Sequence, residues 1–72
     1  MRQIVQAGGI PFIKTNIPMF LFTWECPNRL FGSNPYDITR TAGGSSGGEG
    51  ALIASKCSPG GIGSDIGGSI RI

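Results

Sequence analysis

The chain has 72 residues, with six basic and four acidic side chains, 13 glycines, two cysteines and no histidine. At this length it holds one small domain at most, and such a chain buries only ~60% of its unfolded surface. The missing histidine excludes a Ser-His-Asp triad and His-based metal sites within these residues. Cys26 and Cys57 cannot form a multi-disulfide framework or a CxxC site, and they read as reduced structural thiols of an intracellular protein. A net charge of +2, dispersed along the chain, is too weak for a nucleic-acid footprint.

Arg2 to Ala7 predicts a helical turn or two, stopped by Gly8 or Gly9 in the left-handed conformation. No hydrophobic run of a signal peptide follows it. Ile10 to Lys14 is short and apolar, the pattern of a buried strand. Residues 17–40 carry Pro18, Pro27 and Pro35 and five of the six aromatics, which predicts a loop with short helical turns. Its apolar stretch from Ile17 to Trp24 is far short of the ~20 residues of a spanning helix. The aromatics Phe20, Phe22, Trp24 and Phe31 either pack this loop onto a core or line an apolar pocket, and their spacing allows both.

Ten of the glycines fall in residues 41–72. A flexible Gly/Ser linker does not account for Ala51-Leu52-Ile53-Ala54 or for the isoleucines at 62, 66, 70 and 72. The pattern predicts one helix near Gly48 to Lys56, a glycine loop, and a strand starting at Ile70. Ser46-Gly47-Gly48-Glu49 fits a capping box, in which Ser46 and Glu49 exchange hydrogen bonds at the helix start. Gly43-Gly44-Ser45-Ser46-Gly47 matches the nucleophile-elbow spacing, but an elbow needs a preceding strand and a later histidine; Tyr36 to Ala42 is a poor strand, so this reading is rejected. A phosphate loop and a dinucleotide fingerprint both fail on their required residues. Asp65-Ile66-Gly67-Gly68-Ser69 allows two readings: a tight turn with an ordinary serine, or backbone N–H groups converging into an oxyanion hole beside a nucleophile. Without histidine, the base for such a serine must be another group, and a lysine held neutral is the usual substitute.

Taken together, Gly43-Gly44-Ser45-Ser46-Gly47-Gly48-Glu49-Gly50 and Gly63-Ser64-Asp65-Ile66-Gly67-Gly68-Ser69-Ile70-Arg71 resemble the amidase signature family. The separation from position 45 to position 69 fits that family's two catalytic serines. Gly8 to Asn16 looks like its Lys-Thr-Asn segment, and Phe31-Gly32 and Asn34-Pro35 like later landmarks. Glu49-Gly50-Ala51-Leu52 and Phe20 to Cys26 lean towards the fatty-acid amide hydrolase branch. The resemblance implies an α/β fold: part of a domain with a mixed twisted β-sheet flanked by helices and Gly/Ser-rich catalytic loops. It implies that Ser69 is the nucleophile and Ser45 the bridging serine, after a cis Gly44–Ser45 peptide. The N–H groups of Ile66, Gly67, Gly68 and Ser69 would form the oxyanion hole, Leu21 and Phe22 would line the acyl pocket, and Ser46, Asp65 and Arg71 would support the loops.

The family's catalytic lysine lies further upstream than the residues before Ser45. Lys14 matches a different landmark and Lys56 sits at a helix end, so neither is assigned as base. Residues 1–72 therefore read as an internal piece of an amidase, lacking the lysine segment and everything after the nucleophile strand, and poorly folded and inactive when cut out alone. Its expected partner is a small-molecule amide with an apolar acyl chain. No metal, cofactor or nucleic acid is expected, and any membrane association would come through parts outside these residues. Two rivals stand beside this reading: an amidotransferase type acting on glutaminyl groups, and a truncated copy without catalysis.

Overall fold

The computed structural model describes residues 1–21 and 32–72. In chain order these form helix α1 (Arg2–Gln6), a 3-10 turn (Met19–Leu21), strands β1 (Ser33–Asn34) and β2 (Asp37–Thr41), and helix α2 (Gly47–Ala54). Two helices and a two-stranded sheet are compatible with an α/β class.

The first helix ends as its glycines require. Ala7 is the C-cap and Gly8 adopts φ 92°. The Gly8 N–H then donates to the Val5 carbonyl (3.0 Å) and the Gly9 N–H to the Ile4 carbonyl (2.8 Å), a Schellman pair that satisfies two terminal carbonyls. The segment that follows corrects the expectation of a buried strand. Ile10 to Lys14 has no regular secondary structure, and Ile10 is 83% exposed, with Phe12 and Ile13 also exposed. A strand exists only by pairing, and among the described residues no strand pairs with this one.

A strand does form where the sequence reads poorly. β1 and β2 pair antiparallel with Ser33 opposite Thr41, Asn34 opposite Asp37, and a register shift between Ser33 and Asn34. The Asn34 side-chain oxygen accepts from the Tyr36 N–H (2.9 Å), an Asx turn that reverses the chain at Pro35–Tyr36. Asp37 accepts from both the hydroxyl (2.6 Å) and the N–H (3.0 Å) of Thr39, and these bonds, with Arg40, hold its carboxyl below the usual range. The Tyr36 hydroxyl donates to the Ala54 carbonyl (3.2 Å), which pins the hairpin to the C-terminal end of α2. The strand condition for a nucleophile elbow is thus met, and no histidine accompanies it within residues 1–72.

Helix α2 begins one residue before its predicted start and stops two before its predicted end. Lys56 takes φ 61°, and the N–H groups of Lys56 and Cys57 donate to Ile53 (2.9 Å) and Leu52 (3.1 Å), a second Schellman stop with lysine in the glycine position. The predicted strand at Ile70 is also corrected: residues 69–71 form a turn, and the Arg71 N–H donates to the Gly68 carbonyl (2.7 Å).

Buried positions gather where large side chains are absent. Gly43, Gly44, Ser45, Gly47, Gly48 and Gly68 are buried, as is Pro18. Backbone packs directly on backbone here. The Gly48 N–H donates to the Asn16 carbonyl (3.1 Å), and a Cβ at Gly48 would lie 2.8 Å from the Asn16 Cα. Glycine at 48 is what lets α2 start against the 15–16 segment.

Candidate active site

Two loops meet at the start of α2, and main-chain bonds join them. The Ser46 N–H donates to the Ser69 carbonyl (3.0 Å). Ser45, one peptide before this bond, therefore sits beside the residue-69 turn. Ser45 is 6% exposed, Ser69 is half-buried, and the Gly44–Ser45 peptide is cis.

Ser46 is the N-cap residue of α2, but it makes no side-chain cap bond, which corrects the capping box. Its hydroxyl accepts from the Ser64 N–H (3.1 Å) and donates to the Ser64 carbonyl (3.3 Å). Glu49 likewise turns away from Ser46. Its carboxylate accepts from the Thr15 hydroxyl (2.8 Å) and from the Ile62 N–H (3.1 Å). The Ser46 N–H, which Glu49 would take in a capping box, already donates to the Ser69 carbonyl, and both side chains bind neighbouring loops instead.

The 65–71 turn is organised by one carboxylate. Asp65 accepts from the Gly68 N–H (2.7 Å), the Ile70 N–H (3.3 Å), and Arg71 at both Nε (2.8 Å) and Nη2 (3.1 Å). The Arg71 guanidinium first, then these backbone donors, hold the Asp65 carboxyl well below the usual carboxylate range, and Asp65 in turn pushes Arg71 up. Asp65 and Arg71 thus grip the turn and each other. One consequence bears on the oxyanion hole. The Gly68 N–H is committed to Asp65, so Gly68 is not placed as an oxyanion donor; Ile66, Gly67 and Ser69 carry the remaining expected donors. Ile66 is fully exposed, Gly67 is exposed, and Gly68 is buried with φ 135°.

Leu21 closes the 3-10 turn, whereas Phe22, its expected partner in the acyl pocket, lies outside the described residues, as do Trp24 and Cys26. Lys56 is exposed. Among the described residues no cluster of His, Cys, Asp or Glu could hold a metal ion, and no helix is long and apolar enough to cross a membrane. Sequence reasoning missed Thr15 and Glu49 as partners. They lie 34 positions apart, and no local pattern joins them.

Comparison with known proteins gives this geometry a family context. A family model described as Amidase matches residues 1–72. The chain is 61% identical over 67 residues to fatty acid amide hydrolase 1 of Caenorhabditis elegans, covering 90% of this chain and 12% of that protein. It is 56% identical over 66 residues to fatty-acid amide hydrolase 1 of Sus scrofa (89% and 11%) and 48% identical over 69 residues to an acetamidase of Aspergillus oryzae (93% and 13%). The chain thus spans only 11–13% of the length of these relatives. No solved structure matches it.

Proposed function

The chain belongs to the amidase family, and we propose that it is part of a serine hydrolase that cleaves amide bonds, with Ser69 as nucleophile and Ser45 as the bridging serine. The observation that carries this reading is the Ser46 N–H to Ser69 carbonyl bond, which docks the two serine-bearing loops side by side. In the reaction, Ser69 Oγ attacks the amide carbonyl and passes its proton to Ser45 Oγ, which passes its own to a lysine outside these residues. The N–H groups of Ile66, Gly67 and Ser69 receive the oxyanion. Loss of one such donor typically costs ~10²–10³ in rate. Collapse of the tetrahedral intermediate expels the amine, which takes a proton back from Ser45. Water then hydrolyses the acyl-Ser69 ester by the same relay in reverse.

Residues 1–72 form part of one amidase domain, and the mixed twisted sheet belongs to its remainder. The apolar stretch from Ile17 to Trp24, which contains Leu21 and Phe22, together with the names of the two fatty-acid amide hydrolases, supports a substrate with a long acyl chain. The acetamidase relative makes chain length the point to test. In the full-length protein, hydrolysis of decanamide should exceed that of acetamide, and Ser69→Ala should abolish both. Preference for acetamide would reject the long-chain assignment alone; turnover by Ser69→Ala would reject the hydrolase reading.

A further inference from the structure

We infer that Glu49 is a positioning residue for the two-serine site, an inference that rests on the hydrolase reading above. Its carboxylate clasps Thr15 and Ile62 and so fixes the loop carrying Ser45 against the loop carrying Ser69. Glu49 stands in the first turn of α2, four residues after Ser45. One carboxylate oxygen accepts from the Thr15 hydroxyl (2.8 Å), and the other accepts from the Ile62 N–H (3.1 Å). Each contact sits next to a tie that reaches the start of α2. Thr15 precedes Asn16, whose carbonyl takes the Gly48 N–H; Ile62 lies two residues before Ser64, which the Ser46 hydroxyl grips. Gly61 completes the clasp. A Cβ there would occupy the position of the Glu49 carboxylate oxygen, so the space left by glycine is filled by the carboxylate.

Both donors to Glu49 are neutral, so the clasp calls for a two-pronged polar group of this length and does not call for a charge. Glutamine meets that demand, because its oxygen can accept from Ile62 while its NH₂ donates to the Thr15 hydroxyl oxygen. This separates the clasp from the other role open to an acidic residue in a first turn, complementing the helix dipole, which glutamine would lose.

The test uses the full-length protein with decanoyl 4-nitroanilide as substrate. Glu49→Ala should lower kcat by about 10- to 100-fold while KM stays within about twofold, the signature of misplaced reacting groups. Glu49→Gln should recover to within about threefold of the parent, and Gly61→Ala, which displaces the carboxylate, should lower kcat as Glu49→Ala does. Thr15→Val should fall between parent and Glu49→Ala, and Thr15→Ser should restore the rate. Parent-like kcat in Glu49→Ala, or equal losses in Glu49→Ala and Glu49→Gln, overturns the inference. If Glu49→Ala does not fold, the threonine pair decides, and equal kcat in Thr15→Val and Thr15→Ser overturns it. An inactive Ser69→Ala beside a parent-like Glu49→Ala overturns this inference alone, whereas an active Ser69→Ala overturns the hydrolase reading and this inference with it.

Discussion

Replacing Gly48 by alanine should destabilise the protein, although the same change two residues along the same helix should stabilise it. At Gly48 a Cβ would lie 2.8 Å from the Asn16 Cα and closer still to the Asn16 N and O. Those atoms are backbone and cannot swing aside as a side chain would. Forcing a methyl into a packed site costs about 1–3 kcal/mol. The shift would also stretch the 3.1 Å bond from Gly48 N–H to the Asn16 carbonyl, worth about 0.5–1.5 kcal/mol. Against this, alanine gains about 1 kcal/mol of helix propensity over glycine. The balance is a net loss of about 0.5–3.5 kcal/mol. Gly50 is exposed, and a methyl carbon added there would meet nothing within 4 Å. Only the gain in backbone conformational preference remains at that position, about 0.4–1 kcal/mol of stabilisation. Denaturant unfolding of the two full-length variants reads the difference directly. Equal stability of Gly48→Ala and Gly50→Ala would refute the account of α2 docking by backbone contact.

Other contacts of the two loops and of the α2 stop lead to further outcomes. Asp65→Asn should slow turnover by at least about tenfold, because an amide has one acceptor oxygen for four donors and loses the Arg71 ion pair. The folded-state pKa of Asp65 is depressed, so its contribution to stability is complete above the unfolded value of about 3.9 and is lost only as pH falls below it. The pH–rate profiles of parent and Asp65→Asn should therefore share one shape between about pH 5 and 9, and a new limb in that window would contradict the assignment. Lys56→Gly should stabilise by about 1 kcal/mol in chemical denaturation, since φ 61° suits glycine at the α2 stop, and a destabilised variant would argue against it. Ser46→Ala should cost roughly 1–3 kcal/mol through the lost Ser64 pair, measured in the same way, whereas a role as side-chain cap is already absent.

Features set by the local backbone are the legible ones. The stop at Gly8 and the existence of α2 involve residues a few positions apart, where glycine spacing and apolar content constrain the chain directly, whereas the supporting role of Asp65 and Arg71 came from the family resemblance. The capping box misleads because a short polar motif holds no information about rivals: Ser64, Thr15 and Ile62 outcompete the helix start for Ser46 and Glu49. The hairpin escapes a reading by pattern because β2 is polar and exposed along most of its length, so no alternation marks it, and its turn is carried by the Asn34 side chain. Ile10 to Lys14 and Ile70 read as strands from apolar content alone, yet a strand requires a partner, and among the described residues neither has one.

The central claim, that Ser69 is the acylated nucleophile, is tested most directly by fluorophosphonate labelling of the full-length protein followed by peptide mapping. The adduct should fall on Ser69 and vanish in Ser69→Ala, while Ser45→Ala should still label at Ser69 but about 10²-fold more slowly, as expected for loss of a proton relay. An adduct on any other residue, or undiminished labelling of Ser69→Ala, would contradict it.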